Sequence, residues 1–71
     1  MTPTREIATL EFHDDEAQDD GVIIIRVAEG SVGLAVSLRA DGDIEVFLSP
    51  ELARTVAERL QEASRAAEGK R

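Results

Sequence analysis

The feature that most constrains this chain is a succession of three short apolar segments followed by one amphipathic segment with a helix start signal. Val22–Ala28 is rich in β-branched residues, and the segments 32–39 and 44–48 repeat its strand-like pattern. Ser49 suits the cap position of a helix, and Pro50 suits its first turn. This order predicts antiparallel strands followed directly by a helix.

A further strand is predicted ahead of these segments. Residues 6–12 alternate so that Ala8, Leu10 and Phe12 share one face. The chain is therefore predicted to adopt an α+β fold, ββββα, in which a four-stranded antiparallel meander precedes one C-terminal helix packed on one sheet face. The sequence leaves three placements open for the first strand: beside the second strand, at the other edge, or exchanged between protomers.

The predicted helix carries an apolar stripe that recurs at intervals of three and four residues. Its members are Leu52, Val56, Leu60, Ala63 and Ala67, widened by Ala53 and Ala57. We expect this stripe to pack on the sheet, and Gly69 to end the helix.

The length of 71 residues predicts a single small domain over residues 1–71, with a leader at 1–5, an acidic loop at 13–21 and a flexible tail at 68–71. A domain of this size buries only roughly 60% of the surface that its unfolded chain exposes. The chain has no cysteine, so disulfides and thiolate metal sites cannot reinforce the fold. Association with another chain remains as a way to reinforce the fold.

The expected strand register follows from the residues that must share the core face, because a slip by one residue would move every side chain to the other face. In the first hairpin Glu29 and Gly30 form the tip. The predicted pairs are Val27 with Val32, Ile25 with Leu34, and Ile23 with Val36.

The second hairpin admits two turns. A two-residue turn at Asp41 and Gly42 would set Leu38 against Glu45 and mix the faces. We therefore predict a three-residue loop with Gly42 left-handed in a bulge. The pairs predicted from this loop are Leu38 with Ile44, Val36 with Val46, and Leu34 with Leu48.

These registers place a second apolar row on the face opposite the core. Ile24, Ala35 and Phe47 become lateral neighbours, flanked by Val22, provided that Leu38 lies opposite Ile44. An uncovered row of this kind predicts a self-association face and a homodimer. Two alternatives are that the first strand or leader folds across the row, or that one phenylalanine is tolerated in water.

Charge is unevenly distributed along the chain. The net charge is −7, and residues 1–30 hold eight acids against Arg5 and Arg26. Such a field disfavours direct binding to nucleic acid or to an anionic membrane. It suits a protein partner, and the predicted acidic partner surface consists of Asp14, Asp15, Glu16, Asp19 and Asp20.

Catalytic, cofactor-binding and metal-binding signatures are not found in the sequence. His13 is the only histidine, and its neighbours lie in the predicted acidic loop, where nothing fixes a carboxylate beside it. The acids that precede Gly21 lack the alternate spacing of a calcium loop. No catalytic residue, cofactor or metal site is therefore predicted, and the chain is not expected to be an enzyme.

The longest uninterrupted apolar run is Val22–Ile25, and the N-terminus has no apolar signal core. A cytoplasmic protein without a membrane segment is expected.

The run IRVAEGSVGLAVSLRADGDIEVFLSPEL, residues 25–52, resembles the small actinobacterial regulatory proteins of the BldB kind. In these proteins a strand, a turn containing Asp-Gly, a second strand and a Ser/Thr-Pro-x-Glu helix start follow in the same order. Their cysteine before the first of these strands and their tryptophan early in the helix have no counterpart here. The resemblance implies a non-enzymatic regulator that self-associates and binds a partner protein.

Two functions are predicted. The first is a small regulatory module for protein–protein interaction that self-associates through an apolar sheet face. The alternative is an acidic inhibitor, of the immunity or antitoxin type, that occupies the basic site of a nuclease or DNA-binding partner.

Overall fold

The computed structural model describes residues 4–40 and 42–69 as one antiparallel sheet and one helix. The strands are β1 (Arg5–Asp14), β2 (Asp19–Ala28), β3 (Ser31–Leu38) and β4 (Gly42–Leu48), and the helix α1 is Pro50–Glu68. The sheet order is β1-β2-β3-β4, and α1 packs against β3 and β4. The predicted ββββα fold is confirmed, and the first strand lies beside the second.

The first predicted hairpin is confirmed in detail. Val27 lies opposite Val32, and Ile25 lies opposite Leu34. Gly30 has a φ of 73°, in the left-handed region that glycine adopts more readily than other residues. Together with its neighbour Glu29 it forms the tip of the hairpin.

The predicted register of the second hairpin is wrong by two residues. Leu38 lies opposite Gly42 rather than Ile44, and Val36 lies opposite Ile44. A shift of two keeps each side chain on its predicted face, because side chains alternate with a period of two. Gly42 does have a left-handed φ of 82°, whereas the predicted turn position of Asp41 lies outside the described residues.

The residues that follow β3 are bonded to β2. Arg39 donates its backbone N–H to the Asp20 carbonyl oxygen at 3.1 Å, and the Ala40 N–H donates to Asp19 Oδ2 at 2.9 Å. These amides are therefore satisfied by β2 and do not extend the pairing of β3 with β4. Contacts between residues so far apart in the chain were not visible in the local turn pattern.

The predicted acidic loop is shorter than expected. β1 continues to Asp14 and β2 begins at Asp19, so that only residues 15–18 form the turn. Cross-strand pairing of His13 with Asp20 extends the ladder into the acidic segment. At the chain ends, Arg5 of the predicted leader already belongs to β1, Glu68 of the predicted tail belongs to α1, and residues 1–3, 70 and 71 lie outside the described residues.

The helix starts as its sequence predicts. Ser49 Oγ accepts the Leu52 backbone N–H at 3.1 Å, and Pro50 occupies the first turn. The Gly69 N–H donates to the Arg65 carbonyl oxygen at 3.1 Å and closes the C-terminal end. Packing on the sheet is limited to the first part of the helix, where Ala53 and Val56 are half-buried and the remaining helical residues are exposed.

Candidate association surfaces

The predicted self-association row is only partly formed. Ile24 lies opposite Ala35, as predicted, but Ala35 lies opposite Glu45. Phe47 lies opposite Gly33, two pairs further along the ladder. Ile24, Ala35 and Phe47 therefore share a face without forming a lateral row, because the second hairpin has the shifted register.

This face is also crossed by charge. Arg26 Nη1 lies 2.7 Å from Glu45 Oε2, and the two side chains are only 33% and 34% exposed. The ion pair joins β2 to β4 beside Ala35 and Phe47. We call this surface the mixed face, since it interleaves apolar residues with an ion pair. Its apolar members are Val22, Ile24, Ala35 and Phe47.

The opposite surface of the sheet carries apolar side chains on all four strands, with Arg5 of β1 opposite Val27 at the Gly30 end, and we call it the apolar face. The pairing aligns three rows across the sheet: Leu10, Ile23, Val36 and Ile44; Ala8, Ile25, Leu34 and Val46; Val27, Val32 and Leu48. Phe12 and Leu38 extend the face toward the turn at residues 15–18.

Much of the apolar face is open to solvent. Leu10 is 53% exposed, Ile44 66% and Val46 42%. No hydrophobic side chain among residues 4–40 and 42–69 is fully buried. The alternation of the strands predicted which residues share this face, but alternation does not specify how much of the face the helix covers.

The dimensions of the molecule agree with an open core. Its accessible surface of 5812 Å² compares with about 4,300 Å² for a compact monomer of this mass, an excess of about 1,500 Å². The radius of gyration of 14.0 Å compares with about 11 Å for a compact domain of this length. The single chain leaves exposed what compact domains bury.

The predicted acidic partner surface divides into structural and outward-facing acids. Asp14 Oδ1 accepts the backbone N–H groups of Glu16 at 3.0 Å and Ala17 at 3.1 Å, which stabilises the turn. Asp19 joins the two hairpin ends through its contact with Ala40. The Asp15 side chain is 94% exposed. Asp15 and Glu16 therefore offer their charge to solvent, whereas Asp14 and Asp19 are committed to backbone amides.

His13 has a fixed carboxylate neighbour, contrary to the expectation from sequence. Its Nδ1 atom lies 2.8 Å from Asp20 Oδ1, and its Nε2 atom lies 3.8 Å from Asp15 Oδ1. Cross-strand pairing of β1 with β2 brings His13 and Asp20 together. The His13 and Asp20 side chains are 50% and 62% exposed, so this pair lies in solvent at the end of the sheet.

Within the described residues, no group of three or more histidine, aspartate or glutamate side chains converges as a metal site would require. No helix in that part of the chain combines the length and hydropathy needed to cross a membrane. Comparison of the chain with protein-family models, curated proteins and solved structures finds no match. Function is therefore argued from the surfaces themselves.

Proposed function

We propose that this protein is a small, non-enzymatic module for protein–protein interaction that self-associates through the apolar face. The observation that carries the proposal is the lack of any fully buried hydrophobic side chain among the described residues, while the apolar face contains Leu10 and Ile44 at more than half exposure. Burial of apolar surface is the main driving force of folding. A second protein surface would supply the burial that the single chain lacks.

The area supports a dimer of the obligate kind. An excess of about 1,500 Å² per chain corresponds to roughly 3,000 Å² over two chains, within the range of about 2,000–5,000 Å² found for obligate homodimers. The apolar face is favoured over the mixed face because its strand rows contain no ion pair. Association through the mixed face, with Val22, Ile24, Ala35 and Phe47, stays a prediction. The experiment that tests the apolar face also distinguishes between the two faces.

The test compares two substitutions in β4 that lie on opposite faces of the sheet. Light scattering coupled to gel filtration should give the wild-type protein twice the chain mass of 7.7 kDa. Ile44→Glu places a charge on the apolar face and should shift the mass to that of the monomer. Phe47→Glu, a matched change on the exposed opposite face, should leave the dimer intact.

Sedimentation of the wild-type protein over a dilution series provides a measurement that does not depend on variant folding. A monomer at every concentration would refute the proposal. Loss of the dimer in Phe47→Glu, with Ile44→Glu still dimeric, would return the interface to the mixed face.

The proposal includes two predictions from the sequence, a regulatory role and a cytoplasmic location. The resemblance to BldB-like regulators favours the regulatory role. The acidic inhibitor remains the alternative function, with Asp15 and Glu16 as its outward-facing charges. A pull-down in low and high salt separates the two proposals. An inhibitor of a basic site should lose affinity steeply with salt and with the change Asp15→Asn/Glu16→Gln, whereas an apolar interface should tolerate both.

A further inference from the structure

The helix leaves half of the sheet without a partner. It contacts β3 and β4, and it contacts neither β1 nor β2 over the residues that the structure describes. Leu10 of β1 is 53% exposed, and Leu60 in the helical stripe is 65% exposed. An uncovered apolar sheet surface and an uncovered apolar helix surface thus occur in the same chain.

The connection to the sheet fixes where the helix starts. Ser49 is the only residue between the end of β4 and the start of α1, and its side chain caps the helix. The helix therefore begins at the end of the sheet occupied by Gly30, opposite the acidic turn at residues 15–18.

The molecule is elongated, and the C-terminal part of its helix is exposed. The longest dimension is 48 Å, whereas a strand of ten residues such as β2 spans about 33 Å. The helix of 19 residues is about 28 Å long. Its C-terminal part, from Ala57 onwards, is exposed throughout the described residues.

We propose that two chains exchange the C-terminal parts of their helices, so that residues from Ala57 onwards lie on β1 and β2 of the partner's apolar face. This inference rests on the proposed self-association and specifies its geometry. The N-terminal part of each helix, around Ala53 and Val56, keeps its contact with its own sheet. A twofold axis makes the exchange reciprocal, and both uncovered surfaces become buried.

A second copy is the occupant that supplies both uncovered surfaces, and charge does not oppose it. Residues 49–71 hold five bases against four acids, whereas residues 1–30 hold eight acids against two bases. Within the described residues α1 is close to neutral, with three bases against four acids, so its approach to the acidic N-terminal half of a second copy adds little repulsion. The excess accessible surface of about 1,500 Å² per chain is of the size that a second copy would bury.

The test uses cross-linking, which is clean because the chain contains no cysteine. Chains with Ala63→Cys are co-refolded with chains of different mass carrying Ala8→Cys, and the mixture is treated with a short bismaleimide. Ala8 lies on the apolar face opposite Ile25, and its neighbour Thr9 lies on the mixed face opposite Ile24. Thr9→Cys is therefore the matched control.

Helix exchange predicts that the Ala63–Ala8 pair gives a covalent heterodimer with several-fold higher yield than the Ala63–Thr9 pair. Equal yields, or cross-links only between two Ala8→Cys chains, would overturn the exchange and indicate direct sheet-to-sheet packing. An intrachain cross-link in the double variant at high dilution would also overturn it, because the helix would then close on its own sheet. These results leave self-association standing, whereas a strictly monomeric wild-type protein would remove both proposals.

Discussion

The ring of Phe47 covers Gly33, its cross-strand partner, so closely that a Cβ atom added to Gly33 would lie 3.0 Å from Phe47 Cε2. Phe12 has the same relationship with Gly21. These are the two aromatic residues of the chain, and they lie on opposite faces of the sheet. Each aromatic ring covers backbone that a glycine leaves bare, which stabilises glycine within a strand.

Gly33→Ala should have opposite effects with and without the Phe47 ring. In the wild-type background the new methyl group displaces the ring, and we expect a loss of up to about 1 kcal/mol in the free energy of unfolding. In the Phe47→Ala background the same change should stabilise the protein by about 0.5–1 kcal/mol, since alanine loses less entropy than glycine. A double-mutant cycle from urea unfolding at fixed protein concentration measures the difference. Equal effects in both backgrounds would contradict a coupled pair.

Gly21→Ala should be the more damaging glycine substitution. Its Cβ would lie 2.5 Å from Phe12 Cζ and 2.8 Å from the backbone carbonyl oxygen of Ser37. The ring can rotate away, but the carbonyl belongs to β3 and cannot move without disturbing the sheet. We expect a loss of about 1–3 kcal/mol. Because Phe12→Ala removes only one of the two clashes, it should not rescue the variant in urea unfolding.

Asp19 should contribute to stability, whereas Asp15 should not. Asp19→Ala removes the acceptor for the Ala40 N–H and should cost about 0.5–1.5 kcal/mol in the free energy of unfolding. Asp19→Asn retains an acceptor oxygen and should cost less. Asp15→Ala, at a side chain that is 94% exposed, is the control and should stay within about 0.5 kcal/mol of the wild type. A large loss of stability in Asp15→Ala would contradict this division of roles within the turn.

Ser49→Ala should destabilise the helix through loss of its N-cap. The Ser49 hydroxyl accepts the Leu52 N–H, and substitution of such a cap costs about 1 kcal/mol. Ser64→Ala tests the same chemical change at an exposed position inside the helix, where alanine should be neutral or slightly favourable. Urea unfolding followed by circular dichroism should give a free energy of unfolding that decreases in the order Ser64→Ala, wild type, Ser49→Ala. The reverse order would show that the cap contributes nothing.

Local patterns predicted the elements and their faces because those properties depend on neighbours in sequence. The cap at Ser49, the left-handed Gly42 and the first hairpin are all confirmed. The predicted register of the second hairpin was wrong, and two amides of its turn are bonded to Asp19 and Asp20, contacts that a local turn pattern does not reveal. The predicted row of Ile24, Ala35 and Phe47 depended on that register, and these residues share a face without being lateral neighbours.

Sequence alone predicts the order of strands and helix, the residues that share each face and the acidity of the N-terminal half. Periodicity, capping and charge are local properties, and folding does not change them. The extent to which the helix covers the sheet is set by tertiary structure, because it depends on the direction in which the helix leaves Ser49. The exposure of Leu10 and Ile44 follows from that direction, and it is the physical reason to expect a second chain on the apolar face.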